Sequence, residues 1–239
     1  MVTTILSCYK RPQYLNEQIN NIKNQTVKSD IWVDYTFVDK PMFSMLPSDL
    51  PDDIKVTYRN HNLYHIGRFF YALNAQTEYV FIVDDDQVPG KNYLQQCIDI
   101  VEQQDSIVTA YGVNFAEGFQ GYTPTSKHGW MFPNQNIERV DMAGQSWFMK
   151  KSTLKYIAYE EPYSYLNGED LHLSYMAKKY GNIPCVVAPH RANEIENWSN
   201  DPKYRYRGDD QVATYKTGNH KPIRDKAVNH YERNIIQTT

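Results

Sequence analysis

The hydrophobic pattern of the first half of the chain alternates between the spacings of strands and helices. Four segments have the apolar, β-branched content of strands: residues 2–8, 31–38, 55–58 and 79–83. Between them, apolar residues three and four positions apart predict helices that begin near Pro12 and near Ile66. This β-α-β-α-β order predicts an α/β fold with a mostly parallel central sheet and helices on both faces.

The strand predicted at residues 79–83 is apolar at every position, which is typical of a central strand buried on both faces. In open parallel sheets, ligands bind beyond the carboxyl ends of such strands. The residues that follow this strand are therefore the first place to look for chemistry.

The second half is less regular. The pattern predicts a helix near residues 92–104, a strand near 107–113, an ordered segment at 141–149, a short helix near 152–159 and a strand at 183–188. Residues 114–140 are rich in Gly and aromatic residues and have little periodicity, which predicts a long loop or β-hairpin excursion over the site. A helix follows Gly168 and is expected to end with Gly181 as its cap, whereas the tail from Arg191 has no convincing apolar stripe.

Composition and charge narrow the class of protein. With 239 residues, 41% of them hydrophobic, and a net charge of -3, the chain predicts one compact domain and argues against a nucleic-acid binder that works by neutralising phosphates. No apolar run is long enough to span a bilayer, and the start lacks a secretory signal, so a soluble, cytoplasmic protein is expected. The three cysteines are isolated and predicted to be buried free thiols.

Three adjacent carboxylates, Asp84, Asp85 and Asp86, follow the central strand. They repel one another, and a bound divalent cation is the simplest way to hold them together. Strand alternation would place Asp84 and Asp86 on one side and Asp85 on the other. The pattern favours a Mg²⁺ or Mn²⁺ site over a solvated turn.

Two further groups of polar residues are expected at the same edge of the sheet. Glu169 and Asp170 begin a helix, where the helix dipole alone would accommodate them, but beside a metal site one of them is a candidate general base. His190 follows the last predicted strand and is a candidate third metal ligand, although a lone histidine is equally well a buried polar residue.

Five short motifs occur in a recognisable order: residues 4–12, Phe37-Val38-Asp39, residues 60–74, Val83-Asp84-Asp85-Asp86 and Gly168-Glu169-Asp170. Together they resemble those of GT-A fold glycosyltransferases, close to the large family-2-like group of inverting enzymes that use nucleotide sugars. The resemblance covers residues 2 to about 190. It implies a single Rossmann-like GT-A domain over residues 1–190, with residues 191–239 as a C-terminal extension packing on or near the site.

The resemblance also implies roles for individual residues. The nucleotide of a UDP-type donor would be bound by Tyr9, Arg11, Asp39, Arg68 and Asp85. The metal, Mn²⁺ or Mg²⁺, would be held by Asp84 and Asp86, and Asp86, the second acid of the DXD motif, would be the direct ligand. Asp170 would be the general base for an acceptor hydroxyl, and Glu169 would contact the acceptor. Trp147 would offer a platform for a sugar face, although it is equally well a core aromatic residue. The partners expected are a nucleotide-sugar donor and a glycan or other hydroxyl acceptor.

The sequence departs from the family pattern in two places. Asp39 is followed by Lys-Pro-Met rather than by the family's D-D-G-S, and the Q-x-x-R-W motif of processive relatives is absent. A non-processive enzyme that adds one sugar is therefore favoured.

Three rival interpretations remain. The segment 80–88 also fits the h-h-h-h-D-x-D-x-V signature of haloacid-dehalogenase-type phosphohydrolases, with Gly208-Asp209-Asp210 as a later acidic motif and Asp84 as the nucleophile. Nucleotidyltransferases share much of the GT-A architecture. A binding module for sugars or nucleotides that has lost its chemistry is the non-enzymatic alternative.

Overall fold

The structure is a computed structural model that describes residues 1–37, 50–116, 121–216 and 218–236. Its strands are β1 (Val2–Tyr9), β2 (Ser29–Thr36), β3 (Lys55–Arg59), β4 (Tyr79–Val83), β5 (Ile107–Asn114), β6 (Ser126–Gly129), β7 (Glu138–Val140), β8 (Met142–Lys150) and β9 (Cys185–Val187). Its helices are α1 (Leu15–Lys23), α2 (Gly67–Ala72), α3 (Tyr93–Gln103), α4 (Lys151–Leu154), α5 (Glu169–Gly181) and α6 (His220–Ile236). Short 3₁₀ turns join several of these elements.

The strands form one mixed sheet in the order β3-β2-β1-β4-β8-β5-β9-β7, with β6 paired to β5. The first four strands are parallel, whereas β8 runs antiparallel to both β4 and β5. Leu6 in β1 pairs with Val83 in β4, so the segments that follow these two strands emerge at the same edge. The predicted α/β sheet is confirmed, and its parallel half carries the candidate site.

Helices pack on both faces of the sheet, as predicted. Leu6 and Phe81 belong to a core cluster with apolar residues of α1 and α3, whereas their neighbours Ile5 and Ile82 belong to a second cluster with residues of α2 and α5. All five residues of β4 are buried, which confirms its prediction as a central strand. The three cysteines are buried and free, also as predicted.

The end of α5 differs from the prediction. The residue that caps this helix is Asn182, which adopts a left-handed conformation with φ of 51°, and Gly181 is the last helical residue. Gly181 is required for close packing instead, since a Cβ there would lie 2.5 Å from the ring of Tyr156. The short helix predicted at 152–159 is a single turn, α4, followed by a 3₁₀ turn.

The long helix α6 lies in the tail for which no stripe was found, so that part of the prediction was wrong. Its buried residues include Arg224, Ala227, Val228 and Tyr231, spaced i, i+3, i+4 and i+7. The last three join a third cluster with residues of α5 and β8. An arginine at the first position of the stripe hides the helical pattern from a search for apolar residues.

The excursion after β5 contains the short strands β6 and β7 within its described residues. Among the described helices, none is long and apolar enough to cross a membrane.

Candidate active site

The three consecutive aspartates lie at the carboxyl edge of the sheet, directly after β4. Asp84 accepts a hydrogen bond from Arg68, whereas Oδ1 of Asp85 lies 2.6 Å from Nη1 of Arg11. Oδ2 of Asp86 lies 3.9 Å from the same Arg11 nitrogen. The predicted alternation was therefore wrong: the chain enters a turn after β4, and Asp85 and Asp86 both lie near Arg11.

Burial makes the ionised forms of two of these aspartates costly. It raises the pKa of Asp84 to about 8, with Arg68 opposing the shift and the other two aspartates adding to it. It raises the pKa of Asp85 to about 7, with repulsion from Asp86 adding to the shift and Arg11 opposing it. The two arginines thus compensate the cluster only in part, and a bound cation would favour the ionised forms.

Arg68 connects the aspartates to the second carboxylate pair. This residue of α2 is 6% exposed and donates one hydrogen bond to Asp84 and another, of 3.0 Å, to Oε1 of Glu169. Its guanidinium carbon lies 4.6 Å from the centroid of the Trp147 ring. The segment after β4 and the start of α5 are therefore held in one cleft by a single buried cation.

Trp147 itself is a core residue. It is 1% exposed, packs edge-on against Phe69 with centroids 5.0 Å apart, and donates through Nε1 to the carbonyl of Ala143. Arg68 lies over its ring. The predicted sugar platform is therefore not supported, because the ring is buried and already engaged by a cation.

Asp170 is held by two partners at the start of α5. Its Oδ2 accepts a hydrogen bond of 2.8 Å from Nη2 of Arg224, and its Oδ1 accepts one of 2.7 Å from the backbone of Leu171. Burial raises the pKa of Asp170, and the charge of Arg224 opposes this shift. The preceding Gly168 has φ of +89°, a conformation that glycine adopts without strain and that turns the chain into the helix. A carboxylate of raised pKa in a cleft is suited to take up a proton.

Arg224 is a buried residue of the candidate site that the sequence pattern did not single out. It comes from α6 and is 4% exposed. Besides Asp170 it contacts Oδ1 of Asn167 at 3.2 Å, and its guanidinium carbon lies 4.3 Å from the ring centroid of Tyr122. The one signal in the sequence was its place in the stripe of α6 described above.

Residues 201–210 lie beside the aspartates. Asp210 accepts hydrogen bonds of 2.9 and 2.7 Å from Nε and Nη2 of Arg11. Tyr204 and Arg207 both donate to Glu17 in α1. Gly208 approaches Asp86 so closely that a Cβ at this position would overlap Oδ2 of that aspartate.

The other residues predicted to bind nucleotide are placed as follows. Tyr9 is the last residue of β1 and is half-buried, with Nζ of Lys10 4.9 Å from its ring centroid. Arg11 is 7% exposed and follows the same strand. Asp39 lies outside the described residues.

His190 occupies a structural position. It is fully buried, its Nδ1 donates to the carbonyl of Ala188 at 2.7 Å, and its Nε2 accepts from the backbone N–H of Ser199 at 3.1 Å. Burial lowers the pKa of His190 to about 4, so the ring is neutral. Both nitrogens are used within the protein, and the prediction that His190 is a metal ligand has no support in this arrangement.

The donor set fits a cation that arrives with its substrate. Among the described residues, no three His, Cys, Asp or Glu side chains come together as a metal-binding group. Mg²⁺ is commonly held by one or two carboxylates together with substrate phosphates rather than by a cage of protein ligands. Asp84 and Asp86 provide hard oxygen donors of this kind, and the raised pKa of Asp84 shows that its charge is incompletely compensated.

The sheet order, with acidic motifs at its carboxyl edge, defines an α/β domain of the GT-A type, which confirms the predicted fold class. The chain is similar to the crystal structure of residues 1–349 of S. aureus TarS, a GT-A-type glycosyltransferase. The TM-score is 0.57 at 15% identity, covering 97% of this chain and 70% of that one.

A second S. aureus TarS structure gives a TM-score of 0.55 at 14% identity, covering 97% of this chain but only 42% of the TarS chain. At these identities the likeness shows a shared fold. No protein-family profile and no curated protein matches the sequence.

Proposed function

We propose that this protein is a metal-dependent, inverting glycosyltransferase that moves one sugar from a nucleoside diphosphate sugar, with UDP as the nucleotide, to an acceptor hydroxyl. The observation that carries the proposal is the cleft in which Arg68 joins Asp84 to Glu169, beside the Asp170–Arg224 pair. Acidic groups suited to a metal-bound diphosphate and to a general base thus lie in one site on a GT-A fold.

On the donor side, Asp84 and Asp86 would hold the Mn²⁺ or Mg²⁺, with Tyr9, Arg11 and Asp85 beside the nucleotide. When bound, the cation offsets the negative charge that develops on the departing diphosphate. Arg68 orients Asp84 through their hydrogen bond, and its charge opposes the rise in the pKa of that carboxylate. Asp39 is proposed as a nucleoside contact on the resemblance alone.

On the acceptor side, Asp170 takes the proton of the attacking hydroxyl. The proton goes to the remaining lone pair of Oδ1, which already accepts one hydrogen bond from the backbone of Leu171, because Oδ2 is committed to the charged guanidinium of Arg224. The raised pKa of Asp170 makes it a stronger base than an exposed aspartate, and the charge of Arg224 favours its ionised form before the reaction. Attack from the face opposite the leaving diphosphate inverts the anomeric configuration.

The test is a transfer assay with a panel of UDP-, GDP- and dTDP-sugars and Mn²⁺, following release of nucleoside diphosphate. Asp170→Asn should lower turnover by about 10²- to 10⁴-fold, the usual contribution of a general base, while donor binding stays near normal. Asp99→Asn, which alters an exposed acid on α3, is the matched control and should have no effect. Near-normal transfer by Asp170→Asn, or a product that retains the anomeric configuration of the donor, would refute the mechanism.

The same assay separates the rival enzymes. A nucleotidyltransferase would release pyrophosphate from a nucleoside triphosphate and sugar phosphate, not a nucleoside diphosphate from a nucleotide sugar. For a haloacid-dehalogenase-type phosphohydrolase the geometry is unfavourable, since residues 208–210 lie in a turn-rich segment and Asp210 pairs with Arg11.

A further inference from the structure

A pocket of about 210 Å³ lies beside the proposed active site and has no role in the mechanism above. Its lining includes Trp130, Met131, Trp198, Asn200, Pro202 and Arg205. The volume is below the roughly 300–1,000 Å³ of pockets for drug-sized ligands, so the space suits a single ring. Its walls are mainly aromatic and aliphatic, with few polar groups.

Two residues that line this pocket, Asn200 and Trp130, each have a buried donor without a hydrogen-bond partner among the described residues. Asn200 is 2% exposed; its Oδ1 accepts a hydrogen bond from the backbone of Val88, while its Nδ2 has no hydrogen-bond partner among the described residues. The buried Nε1 of Trp130 is likewise without a partner in this part of the chain. Arg205 is exposed, and its guanidinium carbon lies 4.5 Å from the ring centroid of Tyr206. Since a buried donor without an acceptor is costly, these groups point to a ligand rich in oxygen atoms.

The backbone at Trp130 is also unusual. Its φ of 46° lies in the left-handed region, which is rare for a bulky residue. Such strain persists where the surrounding structure enforces it, commonly at binding sites. Here it accompanies an indole on the wall of the pocket.

These features together fit a sugar. The faces of a pyranose ring expose C–H groups that pack against the electron-rich face of an indole, and its edges carry hydroxyl oxygens that accept hydrogen bonds. We propose that this pocket, between Trp130 and Trp198, binds one sugar ring of the acceptor. The claim that the ring belongs to an acceptor rests on the proposed function. The claim that the ligand is a sugar rests on the chemistry of the pocket.

The pocket lies near the aspartates that are proposed to hold the diphosphate of the donor. Gly208, which touches Asp86, is three residues from Arg205, and three residues span at most about 11 Å. Asn200 is hydrogen-bonded to Val88, two residues after Asp86. A short oligosaccharide anchored in the pocket can therefore extend toward the cleft.

The test uses the four tryptophan indole N–H signals of the full chain in ¹H–¹⁵N spectra, assigned with Trp→Phe variants. The probes are the trisaccharides of glucose (β1,4- and α1,4-linked), N-acetylglucosamine and galacturonic acid, added without nucleotide or metal. At least one should shift the signals of Trp130 and Trp198 while those of Trp32 and Trp147 stay in place. Shifts confined to Trp32 or Trp147, or no shift with any probe, would overturn the proposal.

A variant then separates the sugar site from the transferase. Trp130→Ala should weaken binding of the active trisaccharide by about tenfold or more, as is typical of an aromatic anchor, and raise the acceptor KM. Trp32→Ala, the same change in β2, which is four strands from β5 in the sheet order, is the matched control. An unchanged acceptor KM in Trp130→Ala would refute the acceptor role even if transfer is confirmed. If transfer itself fails while the indole shifts persist, the proposed function is wrong and the sugar site stands.

Discussion

The ion pair between Arg224 and Asp170 provides a quantitative test of how the base is held. In the variant Arg224→Met, a side chain of similar length fills the space but leaves Asp170 buried without its cation. Arg224 is 4% exposed and Asp170 is 8% exposed, so solvent screens the pair little. Removing one partner of such a buried pair typically costs about 3–5 kcal/mol. We expect about 3 kcal/mol, since Asp170 keeps the hydrogen bond from Leu171 and can take up a proton.

For a chain of this size, that loss corresponds to a decrease in Tm of roughly 6–12 °C. The loss should shrink as the pH falls. Without Arg224 the pKa of Asp170 rises further above its unfolded value, so the variant loses stability as the pH rises toward that pKa. The difference in free energy of unfolding between Arg224→Met and the wild type should therefore be smaller at about pH 5 than at about pH 8.

The assay is thermal unfolding across this pH range, with the pH profile of sugar transfer as the functional readout. The acidic limb of the transfer profile should move to higher pH in Arg224→Met, because the base is protonated over a wider range. Lys221→Met removes an exposed ion pair with Asp225 on the same helix and should change stability by less than about 1 kcal/mol. If Arg224→Met is as stable as Lys221→Met, or its pH profile does not move, the buried pair does not hold the base.

Two other substitutions test the site's geometry and its boundaries. Gly208→Ala would place a Cβ against Asp86 and should weaken metal-dependent UDP binding in calorimetric titration. Gly218→Ala is the control, because a Cβ there meets no atom within 4 Å, and it should leave the affinity unchanged. Equal affinities of the two variants for UDP would show that Gly208 does not support the aspartate. Burial lowers the pKa of His190 in the folded state to about 4, below its unfolded value. The neutral ring therefore contributes stability above about pH 6.5, and up to about 3 kcal/mol of it is lost as the pH falls toward 4. His190→Gln should flatten this part of the stability profile and leave the Mn²⁺ dependence of UDP binding unchanged; a selective loss of Mn²⁺ dependence would restore His190 as a metal ligand.

The parts of the fold with a regular apolar period were predictable from sequence. The buried run of β4, the acids that follow it, and the acids that open α5 could all be placed because the carboxyl ends of parallel strands share one edge. By contrast, α6 was missed because Arg224, a charged residue, occupies the first position of its buried stripe. Local patterns cannot show that a charged residue is buried when its partner, Asp170, lies 54 positions away.

The side chains around the site were the less predictable part. Residue type alone did not reveal that Trp147 is covered by Arg68 or that both nitrogens of His190 are hydrogen-bonded. The pairing of Arg11 with Asp210 joins residues 199 positions apart. Such contacts depend on tertiary packing, which short-range periodicity does not encode.

The central claim is that Asp84 and Asp86 bind a nucleoside diphosphate through a divalent cation. The most direct test is calorimetric titration of the full chain with UDP, first with Mn²⁺ and then with excess EDTA. The account predicts measurable binding with Mn²⁺, loss of that binding with EDTA, and no binding under either condition for Asp86→Ala. Equal affinity for UDP with Mn²⁺ and with EDTA would contradict it.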